Sequence, residues 1–452
     1  MRSLIRSPSD MDVIKDTMAS GIQKALTIHI NGGKWVWAIG IFFVILMIVF
    51  FSIAASDYSI YKQLPHGPGL LVNKRKNDLG LIDHLPQVNQ SVCANLIRNT
   101  GAYSGIDASG NAAFIHWRPL TVRLAGYLGG DGNTSDDGVF DMDSGITHAL
   151  NQGARAFVLE IDYLNDTPCV PIIANRDAAG YMRSFNTGSI QNACKAISDK
   201  AFSSNYDPIV VILYFRRVPE GAQQKSFYLT NTAQALAPLT PYFLTSANGT
   251  NFNNCANETQ LITNKITDYQ KKIIIMTNYD TKTLSDTSNP TDNLNFWTNC
   301  RIFKDDANYT DSDLGNVTPV KPTGTTPAAV VGSIDQYKNI PTASFANQNT
   351  KTANTFTICM ASVKDSYTYT ATILDNLFNI LGIQCVPLDV INLSVKPEHL
   401  ASLAGRSDPT NLWSLTRAQN LNDPLSFWTN AGYSKKYVIG EPSPTAAQYT
   451  QW

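Results

Sequence analysis

The stretch Gly153-Ala-Arg155-Ala-Phe157-Val-Leu159-Glu160-Ile-Asp162-Tyr163 decides how the rest of the chain is read. A glycine ends what precedes it, and a β-branched and aromatic run follows that closes on two carboxylates. Residues i and i+2 of a strand share a face, so Glu160 and Asp162 emerge together at the strand's C-terminal end. In parallel α/β folds that end carries the chemistry. Asp143 to Gln152 reads as a helix feeding the strand, and Val170 to Ala174 as a short return strand.

The same alternation continues in both directions. Upstream, Thr121 to Gly126 reads as a strand. Downstream, a helix over Gln191 to Phe202 leads into the apolar run Asp207 to Phe215, a strand buried on both faces. A helix from Ser226 to Leu244, strands at Lys272 to Thr277 and Thr355 to Met360, a helix from Thr370 to Leu381 and a strand from Cys385 to Val390 complete the series. Strands alternating with helices predict a parallel sheet, and this many units predict an α/β (β/α)8 TIM-type barrel. Only 305–354, rich in Asp, Asn, Thr, Pro and Gly, lacks the pattern; it reads as a loop insertion in a barrel domain spanning 81–452.

Helix, G-x-R-x-(apolar), acid-x-acid and short strand together resemble the X region of phosphatidylinositol-specific phospholipase C, whose barrel carries G-C-R-C-I-E-L-D here. In this chain the arginine-to-acid spacing is two residues longer, with strand parity kept. Ser426 to Val438 is similar to the family's closing segment. The resemblance implies a phosphodiesterase barrel with two histidines, one in an S-H-N-T segment after the first strand and one in an H-G segment after the short strand. One would take a proton from the attacking hydroxyl and the other would give one to the leaving oxygen. Arg123 to Gly130 instead places Tyr127 or Leu128 at the first position, and Pro171 to Asp177 places Ala174 or Asn175 at the second. Leucine and alanine carry no proton to exchange, and asparagine does not titrate at ordinary pH. The site is therefore expected to be vestigial, comprising Tyr127, Arg155, Glu160, Asp162 and Asn175. The remaining domain histidines, His84, His116, His148 and His399, read as structural.

Metal-dependent members of that family use the E-x-D acids for calcium, so Glu160 and Asp162 are the candidate metal ligands. The competing reading pairs one of them with Arg155, Arg176 or Arg183 to fix a loop; strand parity places Arg155 on the opposite face. A glycoside hydrolase would need a second carboxyl about 5–9.5 Å from Glu160, and no pattern supplies one.

Charged residues make up only 16% of the 452, and the net charge is −1, so no basic field is available for nucleic acid. None of the seven cysteines (93, 169, 194, 255, 300, 359 and 385) forms a C-x-x-C pair, which excludes the common zinc and thioredoxin patterns. Disulfides with one thiol left over, or buried free thiols, are both compatible with these spacings. N-x-S/T sequons start at Asn89, Asn133, Asn165, Asn248, Asn257, Asn308, Asn316 and Asn392, against about six expected by chance in so Asn-, Ser- and Thr-rich a chain.

Trp35 to Ala55 is uncharged and apolar, about 30 Å long as a helix, which predicts a single transmembrane anchor through the lipid bilayer rather than a cleaved signal. Residues 1–34 precede it with Met11, Ile14, Met18, Ile22 and Leu26 at helical spacing, an amphipathic segment suited to the lipid interface or a partner. Residues 56–80 read as a linker. Lys and Arg are too evenly divided about the span to orient it, whereas sequons and cysteines all follow it; the bulk of the chain is therefore expected on the extracytoplasmic, oxidising side. The expected role is a membrane-anchored barrel without acid–base machinery, serving as a structural or interaction protein with protein partners, as in a virion or organelle surface assembly. The alternative is an active phosphodiesterase on phosphoinositides or glycerophosphodiesters.

Overall fold

A computed structural model describes residues 15–20, 40–52, 113–129, 138–151, 154–164, 167–176, 180–203, 206–284, 287–306, 317–360, 373, 376–389 and 433–435. The chain divides into two compact units, Met1–Gly69 and Leu70–Trp452.

In the first unit, 15–20 and 40–52 are helical. The second of these helices exposes apolar side chains along its length, from 61% at Phe43 to 45% at Phe50. The anchor expected over 35–55 is thus described only for 40–52, about 20 Å of helix against the roughly 30 Å of a hydrocarbon core. Among the described residues no helix is long and apolar enough to cross a membrane.

The second unit is mixed α/β. Its strands are β1 (Trp117–Pro119), β2 (Thr121–Arg123), β3 (Tyr127–Leu128), β4 (Val139–Phe140), β5 (Ala156–Tyr163), β6 (Pro171–Ile173), β7 (Ile209–Phe215), β8 (Ser246–Ala247), β9 (Thr250–Asn251), β10 (Ile273–Thr277), β11 (Cys300–Lys304), β12 (Ala329–Ser333), β13 (Phe356–Met360) and β14 (Tyr433–Lys435). The helices are α1 (Met142–Asn151), α2 (Ile190–Lys200), α3 (Ala222–Ala235), α4 (Glu258–Thr263), α5 (Leu294–Trp297), α6 (Ile334–Lys338) and α7 (Phe345–Asn354). The main sheet runs β13-β12-β11-β10-β7-β5-β2, parallel at every pairing, with β6 antiparallel on the outer end of β5. It curls in the manner of a TIM barrel, and residues 385–388 touch both of its edges. The Cys359 N–H donates to Cys385 O (2.8 Å) on one side, and the Arg123 N–H donates to Leu388 O (3.0 Å) on the other.

Alternation along the strands divides the apolar residues between two regions. Ala156 and Val158 of β5, with Val210, Ile212 and Tyr214 of β7, face the interior of the curl. Phe157, Leu159 and Ile161, with Val211, Leu213 and Phe215, face α1, α2 and α3 instead. Phe114, Ile115 and Trp117 join the interior cluster from below, at the N-terminal ends of the strands. The Gln384 side-chain amide holds that plug by donating to the carbonyls of Ile115 (3.0 Å) and Trp117 (2.7 Å).

The expected loop insertion over 305–354 is corrected. Residues 329–354 form β12, α6 and α7, a strand paired on both sides within the sheet together with its covering helices. Its apolar run, Ala328-Ala-Val-Val331, is only four residues long, too short to show a period. It becomes a strand because both faces are buried in the sheet. The helix expected through Leu244 stops at Ala235, and a 3-10 turn carrying Pro238 follows, because proline cannot continue the α-helical ladder. Of the segment 426–438 likened to the family's closing element, the described part is β14, which lies antiparallel on β1 outside the main sheet and does not complete a barrel strand.

The six described cysteines are free thiols, and all but Cys169 are buried. Burial pushes Cys194 and Cys255 up to about 12, which leaves them as unreactive apolar side chains. The disulfide reading therefore fails for these six, while Cys93 lies outside the described residues. The cysteines no longer help to place the unit in an oxidising compartment.

Candidate functional site

Inward alternation on β5 continues past Val158 to Glu160 and Asp162, so both acids stand at the C-terminal mouth of the curled sheet. They are 4% and 2% exposed. Each is held by two arginines. One oxygen of Glu160 accepts from Arg123 Nε (2.9 Å), and the other accepts from Arg216 Nε (2.8 Å) and Nη2 (2.5 Å). One oxygen of Asp162 accepts from Arg176 Nε (2.5 Å). The other accepts from Arg217 Nε (2.7 Å) and from the Tyr163 N–H (2.7 Å). Burial by itself pushes the Glu160 carboxyl up. The Arg123 and Arg216 charges, with their hydrogen bonds, outweigh it and hold the group below its ordinary value.

The arginines come from elements that the barrel topology brings to one end. Arg123 closes β2, Arg216 and Arg217 follow β7, and Arg176 follows β6. Arg216 lies over the Tyr214 ring (4.9 Å) and Arg217 over the Tyr163 ring (4.4 Å), so aromatic faces fix the guanidinium planes. Arg176 also donates to the carbonyls of Tyr163 (3.0 Å) and Gly180 (2.7 Å), so one guanidinium joins the end of β5 to Gly180.

These contacts correct two expectations. Arg155 is not at the mouth: it precedes β5 at the opposite end and donates to Ala201 O (2.9 Å) at the C-terminus of α2. The donor set of Glu160 and Asp162 does not fit a calcium ion, which needs several oxygens with free lone pairs. The four carboxylate oxygens are turned toward guanidinium groups, and the described residues include no cluster of three or more His, Cys, Asp or Glu able to hold a metal. Arg176 was among the loop-fixing partners expected from the sequence. Arg123, Arg216 and Arg217 were missed; the signal available for the last two was their position directly after a fully apolar strand.

Tyr127 and Asn175, at the two positions where the family resemblance expects histidine, lie together beside this network. The Tyr127 hydroxyl donates to Arg183 O (2.6 Å) and accepts from the Gly138 N–H (3.2 Å). Burial raises this phenol, with hydrogen bonds from Gly138 and Asn175 opposing the shift, so it stays protonated and works as a structural donor. Arg183, another expected partner of the acids, instead ties the loops through its backbone, its N–H donating to Asn175 O (2.9 Å). Leu128 and Ala174 are buried and apolar. Two histidines are described: His116, in the plug at the other end, and His148 on α1, which burial lowers to about 4. His84 and His399 lie outside the described residues.

No protein-family model matches the chain, and no curated protein matches it. Among solved structures it is similar to PLC21 of L. pealei, with a TM-score of 0.47 and 13% identity over 73% of this chain and 38% of that one. It is also similar to a Ca+2-dependent phosphatidylinositol-specific phospholipase C from Streptomyces antibioticus, with a TM-score of 0.37 and 12% identity over 63% of this chain and 96% of that one. A calcium-dependent phosphoinositol-specific phospholipase C from Pseudomonas sp gives 0.35 and 12% over 64% and 94%. This chain thus spans little more than a third of the L. pealei protein.

Proposed function

We propose that this chain is a membrane-tethered, phospholipase C-like (β/α)8 barrel that works as a structural or interaction protein and not as a phosphodiesterase. One observation carries the reading. Tyr127 and Leu128, and Ala174 and Asn175, fill the places from which imidazoles would exchange protons, and Tyr127 is already committed to backbone partners. Glu160, on the inner face of β5, is paired with Arg123 and Arg216 and held ionised, so it is poorly suited to act as a general acid. The tether is the apolar segment 35–55, supported by the helix at 40–52 with its outward-facing Ile, Phe, Val and Leu side chains.

The test is turnover by the purified full chain, with phosphatidylinositol and with glycerophosphodiesters, at several calcium concentrations. Each missing acid or base is worth about 10²–10⁴ in rate, so no turnover above background is expected. Turnover that disappears in a folded Glu160→Gln variant would replace this reading with an active phosphodiesterase.

Tethering is tested separately. The chain expressed in cells is expected to remain with the membrane pellet through alkaline carbonate extraction. Recovery of the intact chain in the supernatant would remove the anchor from the proposal.

A further inference from the structure

Eight sequons look alike in the sequence, but the fold separates the two that are described. Asn248 and Gly249 form the tip of the two-residue hairpin joining β8 to β9, with Ala247 paired to Thr250. Their φ angles are +49° and +78°, the left-handed pair of a type I′ turn, which asparagine and glycine adopt readily. Both residues are exposed, and a Cβ built on Gly249 would meet nothing within 4 Å. Asn257 differs in each respect. It is half-buried where α4 begins, and its side-chain amide donates to Asn251 O (2.8 Å).

The hairpin is anchored at the end of the sheet remote from the arginine network. The Leu244 N–H donates to O of Ile273 (3.0 Å), the first residue of β10, and the Asn299 amide donates to the carbonyls of Leu244 (2.8 Å) and Phe252 (3.0 Å). A bulky group on Asn248 would therefore extend away from the face that carries Glu160 and Asp162.

We propose that Asn248 is an N-glycosylation acceptor and that Asn257 is not. The donor is a polyprenyl-diphosphate-linked oligosaccharide supplied by a membrane transferase. The Asn248 amide nitrogen forms the new bond to the anomeric carbon and gives up one proton. The anomeric carbon–oxygen bond breaks, and the polyprenyl diphosphate leaves with that electron pair. Thr250 supplies the third sequon position at the first residue of β9. Buried free thiols are compatible with this setting, because oxidation requires access to the sulfur. A glycan at this tip also fixes the side of the membrane on which the barrel unit lies.

The experiment is site mapping on the full chain expressed in a eukaryotic secretory host, by peptide N-glycosidase digestion and peptide mass spectrometry. The enzyme-dependent Asn-to-Asp conversion is expected at position 248. It should be lost in Asn248→Gly, which keeps the left-handed turn, and in Thr250→Ala, and retained in Asn257→Gln. Recovery of the 248 peptide unmodified, or modification confined to other sequons, would overturn the proposal. This readout is independent of phosphodiesterase turnover, so either reading can fail without the other.

Discussion

Replacing Glu160 with alanine is expected to cost about 3–5 kcal/mol of stability, because it leaves the guanidinium groups of Arg123 and Arg216 buried without their carboxylate. The two arginine side chains are 10% and 12% exposed, so water restores little of the lost solvation. Glu160→Gln keeps the shape and some hydrogen bonding but loses the charge, and should fall between wild type and alanine. Urea denaturation of the three proteins at neutral pH measures the difference; coincident midpoints would show that the network contributes nothing. The pH dependence has a definite sign. The Glu160 carboxyl is lowered in the fold, so its contribution is present above the unfolded value of about 4.3 and lost as pH falls through the lower folded value. The gap between wild type and Glu160→Gln should therefore close on acidification.

Gly145→Ala is the second substitution with a large expected effect. Glycine inside a helix ordinarily costs about 1 kcal/mol relative to alanine, so propensity alone predicts stabilisation. Packing predicts the reverse. Gly145 lies on α1 where the helix crosses the turn after β2, and a Cβ there would sit 1.7 Å from Ala125 O and 2.7 Å from the Gly126 Cα. Both neighbours are backbone, so no side chain can rotate away and the helix itself must move. Overpacking of this kind costs about 1–3 kcal/mol, and the backbone contact places this case at the upper end or beyond. A lower thermal midpoint is the expected result, and an unchanged or higher one would mean that α1 sits further from the turn.

The acid-x-acid strand was legible because its evidence is local. Eight residues from Ala156 to Tyr163 carry their own apolar run, and a period of two is enough to place Glu160 and Asp162 on one face. β7, β10 and β13 were legible for the same reason, each being a run of apolar residues that only a doubly buried strand accommodates. β11 and β12 were not. Cys300-Arg-Ile-Phe-Lys304 carries charges at Arg301 and Lys304 that break its apolar run, and Ala329-Val-Val-Gly-Ser333 lies in a Thr-, Pro- and Gly-rich neighbourhood. Their strand character comes from hydrogen bonding to neighbours already in place.

The sequence by itself determined the alternating α/β class, the inward pair of acids and the absence of histidine from the two expected positions, since each follows from residue identity and short-range periodicity. Only the tertiary structure decided what the acids do. Arg123, Arg176, Arg216 and Arg217 reach them across 37, 14, 56 and 55 residues of chain respectively, and no local pattern encodes such approaches. Arg123, Arg216 and Arg217 meet the two carboxylates because parallel strands carry their C-terminal ends to one mouth, and Arg176 joins them from beyond the antiparallel strand β6. Of the two readings the sequence left open for these acids, a cation site or pairing with arginine, the contacts at the mouth show the second: the carboxylates anchor an arginine cluster.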